Sequence, residues 1–258
     1  MTIPRTNILG VGISAINMDM ALAQIEEWIA RREQHYVCVA TVHGIMECQR
    51  DPSLGRIFNG SGLTTPDGMP LVWLSRLNGF KHVDRVYGPD LMLALCERSV
   101  HRGYTHYLYG GAEGVASELA SRLQHRFPGL RIVGTYTPPF RPLTPAEDED
   151  VVRRINEADP DIVWIGISAP KQDRWMAEHV GRVRAPVLIG VGAAFDFHSG
   201  RKRQAPRWMQ RSGLEWLFRL SQEPRRLWYR YLVYNPLFIA MVLAQALGLR
   251  RYTIEGPT

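Results

Sequence analysis

Cysteine is scarce: the chain has only Cys38, Cys48 and Cys96, and none belongs to a CxxC pair. An odd set without that spacing argues against a disulfide framework or a cysteine-based zinc site, and buried thiols are expected, since each lies in or beside an apolar stretch. The opening MTIPRTNILGVG lacks the basic region followed by a continuous apolar run that a secretory leader needs, and no run before residue 232 supplies the ~20 apolar residues that cross a bilayer. The expected location is therefore the cytoplasm. Low-complexity tracts are missing as well. At 258 residues, 45% hydrophobic and 22% charged, the composition is that of one large or two small globular domains with a real core.

Acidic residues are rare in one region. From residue 201 onward there are eleven lysines and arginines against Glu215, Glu223 and Glu255, while the whole chain carries only +6. The excess positive charge thus sits in the last quarter, on a near-neutral body, and the local field is what recruits an anionic surface or ligand.

Along the body, apolar strand-like runs alternate with helical stretches, which predicts an α/β fold with a largely parallel sheet. NILGVGISAI reads as one strand, followed by an amphipathic helix MALAQIEEWIARRE that Asn17 or Asp19 can cap. YVCVATV, HYLY, RIVGTYTP, DIVWIGIS and PVLIGVGAAF read as further strands. Thr144-Pro145-Ala146-Glu147 is a capping box, so VVRRINEA should be helical. The apolar runs 161–168 and 186–191 suit strands buried on both faces.

Open parallel sheets bind ligands at the carboxyl ends of their strands, where helix N-termini meet anions. Gly110 and Gly111 follow HYLY and let the backbone approach a phosphate, although such glycines also serve tight packing. Lys171 and Gln172 follow DIVWIGIS and offer a cation and an amide at a helix start, with surface capping as the alternative. Thr41 and His43 follow YVCVA, and His43 by position reads as a turn residue. In LTTPDGMP, Asp67 is a lone carboxylate that can cap the helix GMPLVWLSRL, pin a turn or take a proton from a substrate.

TTPDGMPLVW, RVYGPDLM, YGGAEGVA, SAPKQDRWM, GVGAAFDFHSG and RQAPRWMQRSGLEWLFRLSQEPRR together resemble the successive blocks of the WecG/TagA/CpsF glycosyltransferases, in the same order and across nearly the whole chain. The resemblance implies an α/β fold with Rossmann-like elements and a C-terminal helical appendage that meets the membrane. It also implies metal-independent, inverting transfer of a sugar from a UDP donor to a polyprenyl-diphosphate-linked saccharide, with no cofactor. Inversion by single displacement needs one base beside the acceptor hydroxyl and positive potential beside the diphosphate. Asp67 matches the family's base and Thr41 a polar position near it. Many relatives place asparagine where this chain has His43. Arg85 and Gln172 match functional positions, assigned to substrate charge and to the donor. Arg219, Arg226 and Arg230 are the candidates to reach the diphosphate.

The expected organisation is a catalytic region over 1–200, with acceptor and base in about 1–100 and donor nucleotide in about 101–200, then a basic, aromatic-rich appendage over 201–258. Aromatic and aliphatic residues interleave with arginines in PRWMQRSGLEWLFRLSQEPRRLWYRYLVY, the mixture of a helix at an anionic headgroup interface. NPLFIAMVLAQALGL is too short to span and is expected to lie on or dip into the inner face of the membrane. Packing of this tail on its own protein or in a homo-oligomer is the alternative. Basic residues with aromatics also suit RNA, but no nucleic-acid fold precedes them, so no nucleic-acid partner is expected. The second functional reading is a nucleotide-sugar-binding or assembly protein without turnover. The donor stays open among UDP-N-acetylmannosamine, its uronic acid and UDP-glucose.

Overall fold

The computed structural model describes residues 3–256. Strands β1 (Arg5–Ile8) and β2 (Val11–Ser14) lead into α1 (Met18–Arg31), β3 (His35–Ala40), α2 (Val42–Arg50), α3 (Pro52–Gly60), β4 (Leu63–Pro66), α4 (Met69–Leu77) and α5 (Gly88–Arg102). Strand and helix then alternate through β5 (Thr105–Gly110), α6 (Val115–Arg126), β6 (Arg131–Tyr136), α7 (Pro145–Ala158), β7 (Ile162–Gly166), α8 (Lys171–His179), β8 (Val187–Gly190) and α9 (Ala194–His198). The chain ends in α10 (Arg207–Arg211), α11 (Glu215–Gln222), α12 (Pro224–Trp228), a π-helical turn (Tyr229–Val233) and α13 (Tyr234–Ala246).

The fold is α/β, as the alternating pattern predicts. A six-stranded parallel sheet has the order β4-β3-β8-β7-β5-β6. The chain divides into two compact units. The first takes the residues through Met18, Val39–Tyr87 and the residues from Gln204; the second takes Asp19–Cys38 and Gly88–Arg203.

In the second unit, β7 and β8 are almost wholly buried and Trp164, Ile165 and Ile189 are fully enclosed, because helices cover both faces of a parallel sheet. The capping box of α7 is present, Thr144 accepting from the Glu147 backbone while the Glu147 carboxylate accepts from the Thr144 N–H. All three cysteines are buried thiols, with no disulfide among the described residues.

In the first unit, NILGVGISAI is two strands rather than one. β1 and β2 pair antiparallel through a two-residue loop, with Leu9 at φ 51° and Gly10 at φ 83°. Positive φ at both central positions is the type I′ pattern, one of the two-residue loops matched to strand twist, and glycine tolerates it where leucine resists. The Asn7 side chain secures the turn by accepting from the Gly10 N–H at 2.9 Å.

The C-terminal segment is also longer than its apolar run suggests. α12, the π-helical turn and α13 form one continuous helix, Pro224–Ala246, of 23 residues, long and apolar enough to cross a membrane by length and composition. Its widened turn, closed by the Tyr234 N–H on the Tyr229 carbonyl, stands just before Pro236. In a regular α-helix that proline ring would press on the carbonyl four residues back. One side of this helix packs on its own unit: Tyr234 and Phe238 are buried, and Gln245 bonds the backbone of both Asn7 and Leu9. Leu237, Ile239, Leu243, Leu247 and Leu249 face outward and are exposed.

Candidate active site

Asp67 stands one residue beyond the end of β4. Its backbone N–H donates to the Ala40 carbonyl at 3.0 Å, at the end of β3, so two strand ends meet here. Thr41 follows directly as the N-cap of α2, its hydroxyl accepting from the Gly44 N–H at 3.3 Å. The loop after α4 runs alongside, with the Val86 N–H on the Pro66 carbonyl at 3.0 Å. That bond sets Arg85 beside Asp67.

Asp67 is not the N-cap residue of α4. α4 begins at Met69 behind Gly68 as N-cap, with no side-chain capping bond. Asp67 is instead a buried carboxylate, 8% exposed, facing arginine. Arg85 donates from Nε to the Asp67 backbone carbonyl and from Nη2 to Glu215 Oε2, the latter at 2.6 Å. The same Nη2 lies 4.0 Å from Asp67 Oδ1. Beneath the guanidinium, 4.0 Å away, is the ring of Tyr87, whose hydroxyl donates to Glu215 Oε1 at 3.3 Å.

Burial works against charge on Arg85, but Asp67, Glu215 and Tyr87 outweigh it, so its pKa lies above the ordinary arginine value. Tyr87 is pushed well up by burial first and then by Glu215 and Asp67, which keeps its phenol protonated. Arg219, on α11, behaves like Arg85: burial opposes its charge, and Tyr231, Glu215, Tyr87 and Asp67 restore it.

Arg230 has the opposite balance. Burial brings it down to about 10, and Arg219 and Arg226 push the same way against Tyr231 and Asp67. It stays charged at neutral pH, yet its Nε is buried with no hydrogen-bond partner among the described residues. Two partly buried arginines that repel each other, one with an unused donor, make a place where an anion is favoured. Arg226 has a different setting. It is exposed and bonds Glu223 at 2.5 Å, although its charge still acts on Arg230.

His43 lies in the first turn of α2. Burial first, then Arg230 and Arg219, bring its pKa down to about 3, so the imidazole is neutral. Its ring stacks on Tyr234 with centroids 5.7 Å apart. Its buried Nδ1 has no hydrogen-bond partner among the described residues, Glu47 being 3.9 Å away.

The first unit thus brings together Thr41, His43, Asp67, Arg85, Arg219 and Arg230, while Gly110, Gly111, Lys171 and Gln172 belong to the second. Both glycines have positive φ, and a Cβ at Gly110 would fall 2.6 Å from the Gly166 backbone. Close packing of β5 on β7 therefore requires glycine at 110 whatever binds there. Lys171 opens α8 with its ammonium 5.5 Å from the ring centre of Phe140, which is fully exposed. Gln172 is buried, its amide lying over Gly190 and Gly192, and its Oε1 has no hydrogen-bond partner among the described residues. Among the described residues no group of three His, Cys, Asp or Glu side chains is arranged to hold a metal ion.

Sequence reasoning missed Glu215, Tyr87, Glu47 and Tyr234. Glu215 carried a signal: it is one of only three acids in the basic C-terminal region, which suggests an internal partner for an arginine.

The chain matches the model of the glycosyl transferase WecG/TagA/CpsF family over residues 6–252. An N-acetylglucosaminyldiphosphoundecaprenol N-acetyl-beta-D-mannosaminyltransferase of Bacillus spizizenii is 28% identical over 197 residues, 76% of this chain and 74% of the relative. Proteins of the same name from Bacillus subtilis and Staphylococcus aureus are 27% and 24% identical, covering 84% and 86% of this chain and 85% and 87% of theirs. With a match over nearly its whole length, the protein belongs to the WecG/TagA/CpsF family of glycosyl transferases.

Proposed function

We propose that this protein moves a sugar from a UDP-sugar onto a polyprenyl-diphosphate-linked saccharide, with inversion, and that Asp67 is the general base. The observation that carries this reading is a buried carboxylate at a strand end, one residue before the N-cap of α4, among Arg85, Arg219 and Arg230. A single displacement needs that combination: a base for the acceptor hydroxyl and fixed positive charge for the leaving diphosphate. The relatives' names support the acceptor class, since each acts on N-acetylglucosaminyldiphosphoundecaprenol. Lys171, Gln172 and the Gly110-Gly111 turn are the proposed nucleotide contacts, with the unpartnered Gln172 Oε1 as an acceptor for a ligand N–H or O–H. Thr41 and His43 are proposed to contact the sugars. Arginines meet the diphosphate charge, and turnover is expected to survive EDTA.

A membrane-bound acceptor also gives the appendage a purpose. We assign residues 201–251 to an anionic membrane surface on the cytoplasmic side, with the protein peripheral to it. The partial packing of α13 on its own unit supports lying on the surface over spanning it.

Asp67→Asn tests the chemistry. Turnover of a polyprenyl-diphosphate-sugar acceptor should fall by roughly 10²–10⁴ while UDP binding stays near wild type. Retention of most turnover would move the base elsewhere and favour a structural carboxylate.

A further inference from the structure

The two faces of α4 meet different surroundings. Leu71, Val72 and Ser75 are fully buried, and Val72 packs with Ala15 and Val83, with Met69 and Phe80 against them. On the other side, at the three- and four-residue spacing of one helix face, stand Trp73, Arg76 and Leu77. Trp73 is 44% exposed and Leu77 82%, so water meets a tryptophan and a leucine where a surface helix ordinarily presents polar groups. The stripe continues beyond the helix. The tip of the Trp73 indole lies across the turn between α10 and α11, 2.7 Å from where a Cβ on Gly213 would stand. That segment in turn exposes Trp208, Leu214 and Leu217. Around this apolar surface Arg76, Lys81 and Arg211 are exposed, Arg76 being held by the Val83 carbonyl at 2.8 Å and by Asp84 at 3.3 Å.

We infer that the outward stripe of α4, continued by the α10–α11 turn, is a membrane-docking surface of the catalytic body itself, and that its partner is an anionic bilayer. The inference rests on the proposed lipid-linked acceptor and adds a contact outside the C-terminal appendage. Two observations select a bilayer as the occupant. One is composition: tryptophan and leucine flanked by arginine and lysine suit a headgroup boundary, where rings and aliphatic chains enter and cations reach anionic lipid. Singly scattered apolar residues need no partner, but these are linked through the Trp73–Gly213 contact into one surface. The other is position. Asp67 precedes the first residue of α4 by two places, so the helix that follows the proposed base also bears the stripe. At about 1.5 Å per residue Leu77 lies roughly 12 Å along the helix from Met69, a length of the same order as a sugar on its diphosphate. An acceptor whose lipid stays in the bilayer meets Asp67 only if the body comes that close to the surface, and docking through α4 brings it there.

The test is partition of the full chain into vesicles of phosphatidylcholine with phosphatidylglycerol. Leu77→Asp should lower partition roughly tenfold or more, since an apolar side chain at the boundary is replaced by a charge of the lipid's own sign. Its melting temperature without vesicles should stay at the wild-type value, because Leu77 is largely exposed. The same variant should lose turnover of a vesicle-held polyprenyl-diphosphate-sugar and keep that of a water-soluble acceptor analogue. Leu77→Cys, labelled with a polarity-sensitive fluorophore, reads the position directly, since Cys38, Cys48 and Cys96 are buried and leave the new thiol as the reactive one. Its emission should shift to the blue when vesicles are added. Unchanged partition in Leu77→Asp, or a label that stays in water while the protein is vesicle-bound, overturns the proposal. A blue shift that grows with protein concentration and needs no vesicles also overturns it, and gives the stripe to a contact between copies of the chain. The two levels fail separately. If the wild type partitions and Leu77→Asp partitions equally, only the α4 contact fails; if the wild type turns over the water-soluble analogue but never partitions, the membrane reading falls with it. Asp67→Asn should partition as the wild type does, so this result stands apart from the assignment of the base.

Discussion

The phenol of Tyr234 bridges two charged side chains of α2, donating to Glu47 Oε1 at 2.7 Å and accepting from Arg50 Nη1 at 2.6 Å, while its ring stacks on His43. The first turn of α13 is thereby bonded to the helix whose opening residues are Thr41 and His43. The C-terminal helix is thus packed against the helix that carries two of the candidate site residues.

Tyr234→Phe keeps the stack and removes the bridge. It should lower stability by roughly 0.5–1.5 kcal/mol, the usual net value of such hydrogen bonds, and reduce turnover only a few-fold. Tyr234→Ala also removes the ring against His43 and should reduce turnover at least tenfold further. Thermal melts and turnover read both effects. An unchanged melting temperature in Tyr234→Ala would show that α13 is not held at this point.

The three candidate arginines should separate cleanly. Arg226 is exposed and paired with Glu223, so Arg226→Ala should weaken binding to anionic vesicles slightly, as the loss of ~1 kcal/mol of surface attraction allows, and leave turnover of a water-soluble acceptor analogue near wild type. Arg219→Ala and Arg230→Ala should leave vesicle binding largely intact and cut turnover of the same analogue by 10²-fold or more, in line with removing donors aimed at developing charge. Proportional loss of vesicle binding and turnover in Arg230→Ala would make it a headgroup contact.

How much of this was legible beforehand depended on whether the signal was local. The capping box of α7 and the doubly buried β7 and β8 are written in consecutive residues, and propensity and periodicity sufficed. The β1–β2 hairpin was not, because its turn places Leu9 at positive φ, where a glycine or asparagine would have announced it. Arg85, Asp67 and Arg230 could be named from motifs. What could not be read is which acid holds which arginine, since Glu215 meets Arg85 across 130 positions of chain. The π-helical turn between Arg226 and Tyr234 was equally hidden, as was the exposure of Arg226 beside a mostly buried Arg230.

Two buried histidines make stability depend on acid. Burial brings both His43 and His106 down to about 3, and His106 Nδ1 accepts from the Trp164 indole N–H at 2.9 Å, a bond that only the neutral ring can accept. The folded-state pKa lies below the unfolded value of about 6.5, so the unfolded chain takes up these protons first as pH falls. Stability from this source is complete above about pH 6.5 and drains away toward pH 3, at roughly 1.4 kcal/mol per pH unit for each histidine. Urea unfolding at a series of pH values across that window should show the slope, and His43→Asn should reduce it by about one histidine's share. The same substitution should not move the pH profile of turnover near neutrality, because His43 is already uncharged there.

The outward face of the C-terminal helix can be tested apart from its inward face. Ile239 and Leu243 are more than half exposed, whereas Gln245 bonds the β1–β2 turn backbone. If α13 lies on a membrane, Ile239 and Leu243 enter the acyl boundary, each contributing about 1.5–3 kcal/mol. Ile239→Asp with Leu243→Asp should therefore lower partition into anionic vesicles by at least 10²-fold, while the melting temperature without vesicles stays close to wild type. Raising salt from low ionic strength to about 1 M, where the Debye length is roughly 3 Å, should weaken wild-type binding without abolishing it, since only the arginine share is screened. Gln245→Ala should behave the other way: lower melting temperature, from two lost backbone contacts, and little direct change in partition. If the double aspartate variant instead melts much earlier and binds vesicles as before, the outward leucines are covered by protein, and the face belongs to an interface between copies of the chain.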